Sequence, residues 1–355
     1  MSSSAFDYWN GRRAFVTGDM GFKGTWLCSL LSRLGAQSIG FGQDERSPLL
    51  YREMSIPGHS HTEGDINDLA AMTRSLTGSG AEVLFHLAAQ PLVLTSYADP
   101  VGTFEANVMG TVRVLEAARS VSGLKAIVIV TSDKVYRNDE LTRGYRESDP
   151  LGGADPYSAS KAAAEVATRA MVASFFSKSD APRVATVRAG NVIGGGDWAA
   201  HRLLPDAARA LSKGLPLVVR NPSSTRPWQH VLDPLVGYLR VAEKLAIHHK
   251  QPVEAAWNFG PEATQSLTVG EVAELFVRAW GKNAEWQAAT LDGPQAKEAK
   301  LLAVDSGLAH RELNWRPRWR SDEAIRRTAA WYRDHAAGEK ATDLVARDIN
   351  ELLAG

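Results

Sequence analysis

The sequence predicts an α/β protein: a doubly wound parallel sheet of Rossmann type, joined to a smaller C-terminal lobe. Three observations predict it. The first half alternates short apolar β-type runs with segments of helical period, as strands joined by crossover helices do. After about Gly190 the texture changes to loops rich in glycine, proline and tryptophan, among them Gly194-Gly195-Gly196-Asp197-Trp198 and Asn221-Pro222-Ser223-Ser224-Thr225-Arg226-Pro227-Trp228. Loops of that kind form site walls. The third is length, because 355 residues suit one large unit with a second lobe better than one compact domain. The expected division is 1–188, with a return segment near 231–260, against 189–230 together with 261–355.

Taken in order, the strand candidates are 14–16, 38–41, 83–87, 126–130 and 184–187. Between the first two, Leu27, Leu30, Leu31 and Leu34 recur at helical spacing and give a crossover helix one apolar face. Hydrophobic residues are 44% and charged residues 23%, values that exclude a fibrous or wholly disordered chain. Lysine plus arginine equals aspartate plus glutamate, 40 against 40, so no overall positive field attracts a nucleic-acid backbone. Anionic ligands must then be met by local arginines. Cys28 is the only cysteine, which excludes an intramolecular disulfide and a cysteine metal cluster and fits a reducing compartment. The start lacks the blocks of a signal peptide, and no apolar run approaches the roughly eighteen residues of a membrane span. Cytoplasm is the expected location. The histidines show no metal-ligand spacing, so no metal is expected, and His86, inside a strand, reads as a hydrogen-bonded core residue.

Thr17-Gly18-Asp19-Met20-Gly21-Phe22-Lys23-Gly24 follows the first strand and opens the first helix. Glycines there permit a tight turn and a close approach to a pyrophosphate, whose charge a helix amino terminus stabilises. A glycine-rich surface turn is the bland alternative, and the strand-before, helix-after context argues against it. Asp44, past the second strand, stands where a carboxylate bonds ribose hydroxyls, which favours NAD, while Arg46 nearby keeps a 2′-phosphate cofactor open. Asp65, beside Ile66, has two readings: an adenine contact, or a helix amino-cap.

Tyr157-Ser158-Ala159-Ser160-Lys161 puts a tyrosine and a lysine on one helix face, so Lys161 can lower the phenol pKa and make Tyr157 a usable base. Alone that spacing mostly marks a solvated face. What sharpens it is Thr131-Ser132-Asp133-Lys134 at the carboxyl end of an apolar strand, the edge where open α/β sheets bind ligands.

With these, Leu87-Ala88-Ala89-Gln90 and Asn107 complete a set that resembles the extended short-chain dehydrogenase/reductase family, the NAD-dependent epimerases and dehydratases, over nearly the whole chain. Longer runs resemble its nucleotide-sugar 4,6-dehydratase branch. They are Tyr145 to Tyr157, Arg188-Ala189-Gly190-Asn191-Val192-Ile193-Gly194-Gly195-Gly196-Asp197-Trp198, and Arg226-Pro227-Trp228-Gln229-His230-Val231-Leu232-Asp233-Pro234. Val135, where a cysteine is usual, and His201, where an acid is usual, depart from the pattern.

The resemblance implies NAD as cofactor, held by Gly18, Gly21, Phe22, Lys23, Gly24, Asp44, Asp65, Ile66, Leu87, Ala88, Ala89, Asn107, Thr131, Tyr157 and Lys161. It implies a nucleotide-diphosphate glucose, CDP-glucose first, as substrate, bound by Asn191, Arg202, Arg226 and His230. Tyr157 then removes the 4-hydroxyl proton with Thr131 on the same oxygen, Asp133 protonates the departing 6-hydroxyl, and Lys134 stands where relatives carry the glutamate base. A charged Lys134 opposes protonation of Asp133. Arg202 and Arg226 could otherwise be solvated charges, and Asp133 and Lys134 plain strand-end residues. A homodimer, or a tetramer, is implied through helices 104–118 and 158–173. Rival readings are a nucleotide-sugar epimerase or reductase, which needs no elimination acid, and a non-catalytic NAD sensor, which has no use for Thr131, Tyr157 and Lys161 together.

Overall fold

A computed structural model describes residues 3–43, 49–248, 256–262, 265–281, 283–289 and 302–354. Seven parallel strands form one sheet: β1 Arg13–Thr17, β2 Gln37–Gly42, β3 His59–Glu63, β4 Val83–His86, β5 Ala126–Val130, β6 Arg183–Ala189 and β7 Ala256–Phe259, in the spatial order β7-β6-β5-β4-β1-β2-β3. The five expected strands are present. Two were not expected: β3, His-Ser-His-Thr-Glu, is a polar edge strand without an apolar run, and β7 is a four-residue strand on the opposite edge.

Strand order reverses at β1, which pairs with β2 on one side and β4 on the other, so the crevice opens above Thr17, Phe41 and His86. Crossover helices cover both faces. On one face α1 (Phe22–Arg33) and α6 (Leu232–Ile247) pack with Val16, Phe85, Val128 and Val187; on the other, α2 (Leu69–Ser79) and α3 (Gly110–Ala118) pack with Phe15, Leu84 and Ile127. Strands buried on both faces read as continuous apolar runs, as β5 does with Ala-Ile-Val-Ile-Val.

The second lobe carries helices α5 (Leu203–Leu211), α7 (Val269–Trp280) and α8 (Ser321–Ala336) with three two-stranded pairs, and the last helix, α9 (Ala341–Ala354), returns to α1. Its core is continuous with one face of the sheet: Trp26 of α1 donates to the Gly195 carbonyl at 3.0 Å, and Trp331 of α8 lies against Gly195, where a Cβ would come within 1.9 Å of the ring. Among the described residues no helix is long and apolar enough to cross a membrane.

Candidate active site

The loop after β1 is tight because glycine occupies each crowded position. Gly18 has φ +70° and lies so close to the next strand's loop that a Cβ would meet the Ala88 nitrogen at 2.7 Å; a Cβ on Gly24 would sit 2.1 Å from the Gly18 carbonyl oxygen. Gly21 is the residue before α1, whose first amide groups therefore face the crevice. Asp19 turns inward: it is fully buried and held by His61 Nδ1 at 2.9 Å and His59 Nε2 at 3.2 Å. Leu87 and Ala88 donate to the Thr17 carbonyl and hydroxyl at 3.1 and 3.2 Å, locking the β4 loop, with Ala89 next in line, beside the glycine turn. His86 bridges Thr17 and Thr111 at 2.7 and 3.1 Å, and burial holds its imidazole neutral, near a pKa of about 3, so it is the expected core histidine.

Asn107 sits in a π-helical turn, Glu105–Met109, of the kind that recurs at functional sites. Its amide clamps both backbone groups of Gln90, at 2.8 and 3.1 Å, and donates to Ser160 Oγ at 2.9 Å, next to Lys161. Asp44 and Arg46 lie outside the described residues. Asp65 is exposed and accepts from the Asn67 amide at 2.9 Å, the helix cap being Asp68 instead; Ile66 is buried against Gly110.

Helix α4 (Pro156–Phe175), capped by Asp155, carries Tyr157 and Lys161 on the face toward the end of β5. Thr131, Ser132 and Asp133 follow that strand, all buried. Asp133 Oδ1 accepts from Ser132 Oγ at 3.0 Å, and its other oxygen lies against Gly190, where a Cβ would approach within 2.6 Å. Burial raises the Asp133 pKa and outweighs Lys134, Ser132, Lys23 and Arg226, which lower it. The opposition expected from Lys134 is therefore real but loses to desolvation. Lys134 Nζ lies 5.9 Å from the Tyr157 ring centroid.

Burial raises the Tyr157 phenol pKa, with Arg202 acting the other way. Lys161 is itself buried, donates to the Val130 carbonyl at 3.3 Å, and is pushed down to about 7 by burial and by Lys23, against Glu165. Desolvation disfavours phenolate and ammonium alike.

A model of the NAD dependent epimerase/dehydratase family matches residues 14–256. A CDP-glucose 4,6-dehydratase of Salmonella typhimurium is 42% identical over 98% of this chain and 98% of its own. The chain belongs to the NAD-dependent epimerase/dehydratase family. A Streptomyces antibioticus dTDP-glucose 4,6-dehydratase is 30% identical over 79% of this chain and 78% of its own. Among solved structures, an epimerase of Methanothermobacter thermautotrophicus superposes with a TM-score of 0.81, at 22% identity over 97% of both chains, which bears on the fold.

Family members take NAD, and the residues here fit it: Gly18, Gly21 and Gly24 let the loop turn tightly at a helix amino terminus, where a Cβ on Gly18 or Gly24 would clash with neighbouring backbone. Lys23 is pushed down to about 8 by burial and Arg202, with Asp133 and Asp197 opposing. Of the expected substrate residues, Arg226 lowers the Asp133 pKa and Arg202 lowers that of Tyr157 by their charge. Arg202 also pairs with Asp197 at 2.7 Å, and Asn191 is half-buried on the loop after β6.

His230 is a correction. It has no exposed surface, lies edge-on to Trp26 and Trp319, and accepts from the Leu232 amide at 3.3 Å, so it packs the core instead of touching a ligand. The sequence did not point to Ser132, which donates to Asp133 at 3.0 Å, or to Glu165, which accepts from Thr131 at 2.6 Å. Glu165 was findable, because it extends the four-residue series of Tyr157 and Lys161 by one step.

Proposed function

We propose that this chain is a hydro-lyase that converts CDP-glucose to the 4-keto-6-deoxy sugar. The observation that carries this reading is Asp133: a buried carboxyl at the end of β5, hydrogen-bonded to Ser132 and raised in pKa by burial. An epimerase or a reductase has no use for such an acid. The relative that spans the whole chain acts on CDP-glucose by its name, which favours cytidine.

Tyr157 takes the proton of the 4-hydroxyl as the C4–H bond breaks, with Thr131 on the same oxygen. Bound NAD supplies the acceptor for that hydride and its later donor. The resulting 4-ketone acidifies the C5 hydrogen; a base at the position of Lys134 removes it while Asp133 gives its proton to the departing 6-hydroxyl, which leaves as water. Hydride addition at C6 and a proton at C5 complete the product, and the cofactor ends as it began. Lys161 orients the ribose and the phenol, while Arg202, Arg226 and Asn191 meet the diphosphate. Incubation with CDP-glucose and, separately, UDP-glucose and dTDP-glucose, followed by NMR, tests this. The 4-keto-6-deoxy product should form fastest from CDP-glucose; an intact hexose epimerised at C4 overturns the reading.

In this reading residues 1–188 with a return near 231–260 hold the cofactor, and 189–230 with 261–355 hold the sugar nucleotide. The chain works as a homodimer, because Leu94, Tyr97, Val101, Phe104, Met109 and Val166 leave an apolar surface on the helices before α3 and on α4. Sedimentation at micromolar concentration should give twice the 38.5 kDa chain mass; a monomer contradicts it.

A further inference from the structure

Asp133 is 4% exposed, and its backbone is set by one short turn, Asp133–Val135, that Ser132 caps. The Lys134 amide donates to Ser132 Oγ at 3.2 Å, and that hydroxyl gives its own proton to Asp133 Oδ1 at 3.0 Å. Room for the rest of the carboxyl comes from Gly190. A Cβ at that position would lie 2.6 Å from Asp133 Oδ2 and 3.2 Å from its Cγ, with Pro227 Cγ at 3.5 Å. The carboxyl thus fills the space in which any other residue at 190 would begin its side chain. Nothing in the chain path asks for glycine there, because Gly190 does not have a positive φ. Nor can its backbone retreat. Ala189, just before it, pairs with Phe259 of β7, and just after it the Asn191 carbonyl accepts from the Gln229 amide at 3.1 Å, where Val192 and Ile193 pair with Gln229 and His230.

We propose that Gly190 is a positioning residue of the elimination: by carrying no side chain it lets the Asp133 carboxyl sit against the main chain, bonded to Ser132, where it meets the departing 6-hydroxyl. This rests on the dehydratase reading of the site. Other glycines near the cleft are crowded differently. A Cβ on Gly18 or Gly24 would strike backbone, and one on Gly195 the Trp331 ring, so those positions serve the fold. At Gly190 the nearest atom is the free end of a side chain that can swing away, so a methyl there moves the acid and leaves the fold standing.

The test is Gly190→Ala in the NAD-loaded enzyme. Turnover of CDP-glucose should fall roughly a hundredfold, the scale of a reacting group misplaced by about 1 Å. Reduced cofactor should build up in stopped-flow absorbance, because the 4-hydroxyl is still oxidised. Added to Asp133→Asn, the alanine should slow that variant no further, since both remove one function. A second readout needs no substrate. The alanine should lower the melting temperature of the wild type by about 3 °C, yet leave that of Asp133→Ala unchanged, because truncation empties the space the methyl needs. Should Gly190→Ala fail to fold, the variant carrying both Asp133→Ala and Gly190→Ala should fold. Overturning results are an alanine variant at the wild-type rate, a slow one without reduced cofactor, an equal loss of melting temperature in both backgrounds, or a double variant that does not fold. A wild-type enzyme that leaves CDP-glucose unchanged sinks the dehydratase reading and this role with it, whereas a working wild type matched by its alanine variant sinks the role alone.

Discussion

In the proposed elimination Asp133 holds a proton, which burial favours and Lys134, Ser132, Lys23 and Arg226 oppose. Replacing it with asparagine keeps size and hydrogen bonding to Ser132 but removes the proton. Oxidation should then survive while elimination slows by roughly a hundredfold or more, the scale of general acid catalysis, and reduced cofactor should build up in stopped-flow near-ultraviolet absorbance. Tyr157→Phe should show no such build-up, because it blocks the first proton transfer. Turnover of Asp133→Asn at the wild-type rate would remove the elimination role. At this scale the sequence was legible where chemistry and spacing coincide, as at Thr131, Tyr157 and Lys161. It misled at His230, because a histidine between two glycine- and proline-rich runs looks like site wall, and only packing reveals Trp26 and Trp319 on either side.

The glycine loop shows the same division among elements. Strand, turn and helix around Gly18 to Gly24 follow from apolar runs and glycine spacing, whereas β3 does not, because its inward-facing histidines serve a charge and not a core. Asp19, His59 and His61 make one buried cluster, and Gly40 of β2 is part of it, since a Cβ there would reach within 1.9 Å of the Asp19 carboxylate. No periodicity in a single segment can signal a partnership among three. Gly24→Ala should force the loop open against the Gly18 carbonyl, and the purified variant should carry less than a tenth of the NAD released by denaturing the wild type, a loss of about 1.4 kcal/mol or more in binding. Full cofactor content in that variant would mean the turn does not set the cradle.

Across the whole molecule the core buries ionisable groups as well as apolar ones. Asp348 of α9 lies 3.8 Å from His230 without a hydrogen bond to it, and burial raises its carboxyl to about 7, against Arg347 and Arg327. In the unfolded chain that carboxyl ionises near 4, so its contribution to stability is present below that pH and lost as pH rises through about 7. Asp348→Asn removes the titration. Relative to wild type it should gain up to about 4 kcal/mol between pH 4 and pH 8, read from denaturant unfolding; a constant difference across that range would place the titration elsewhere. The account as a whole stands on one path for one atom, the hydrogen at C4 of the sugar. CDP-glucose carrying deuterium at C4 should give a 4-keto-6-deoxy product with that deuterium at C6, because the same hydride leaves one carbon and returns to the other. Deuterium retained at C4 of an epimerised hexose would contradict the dehydratase account.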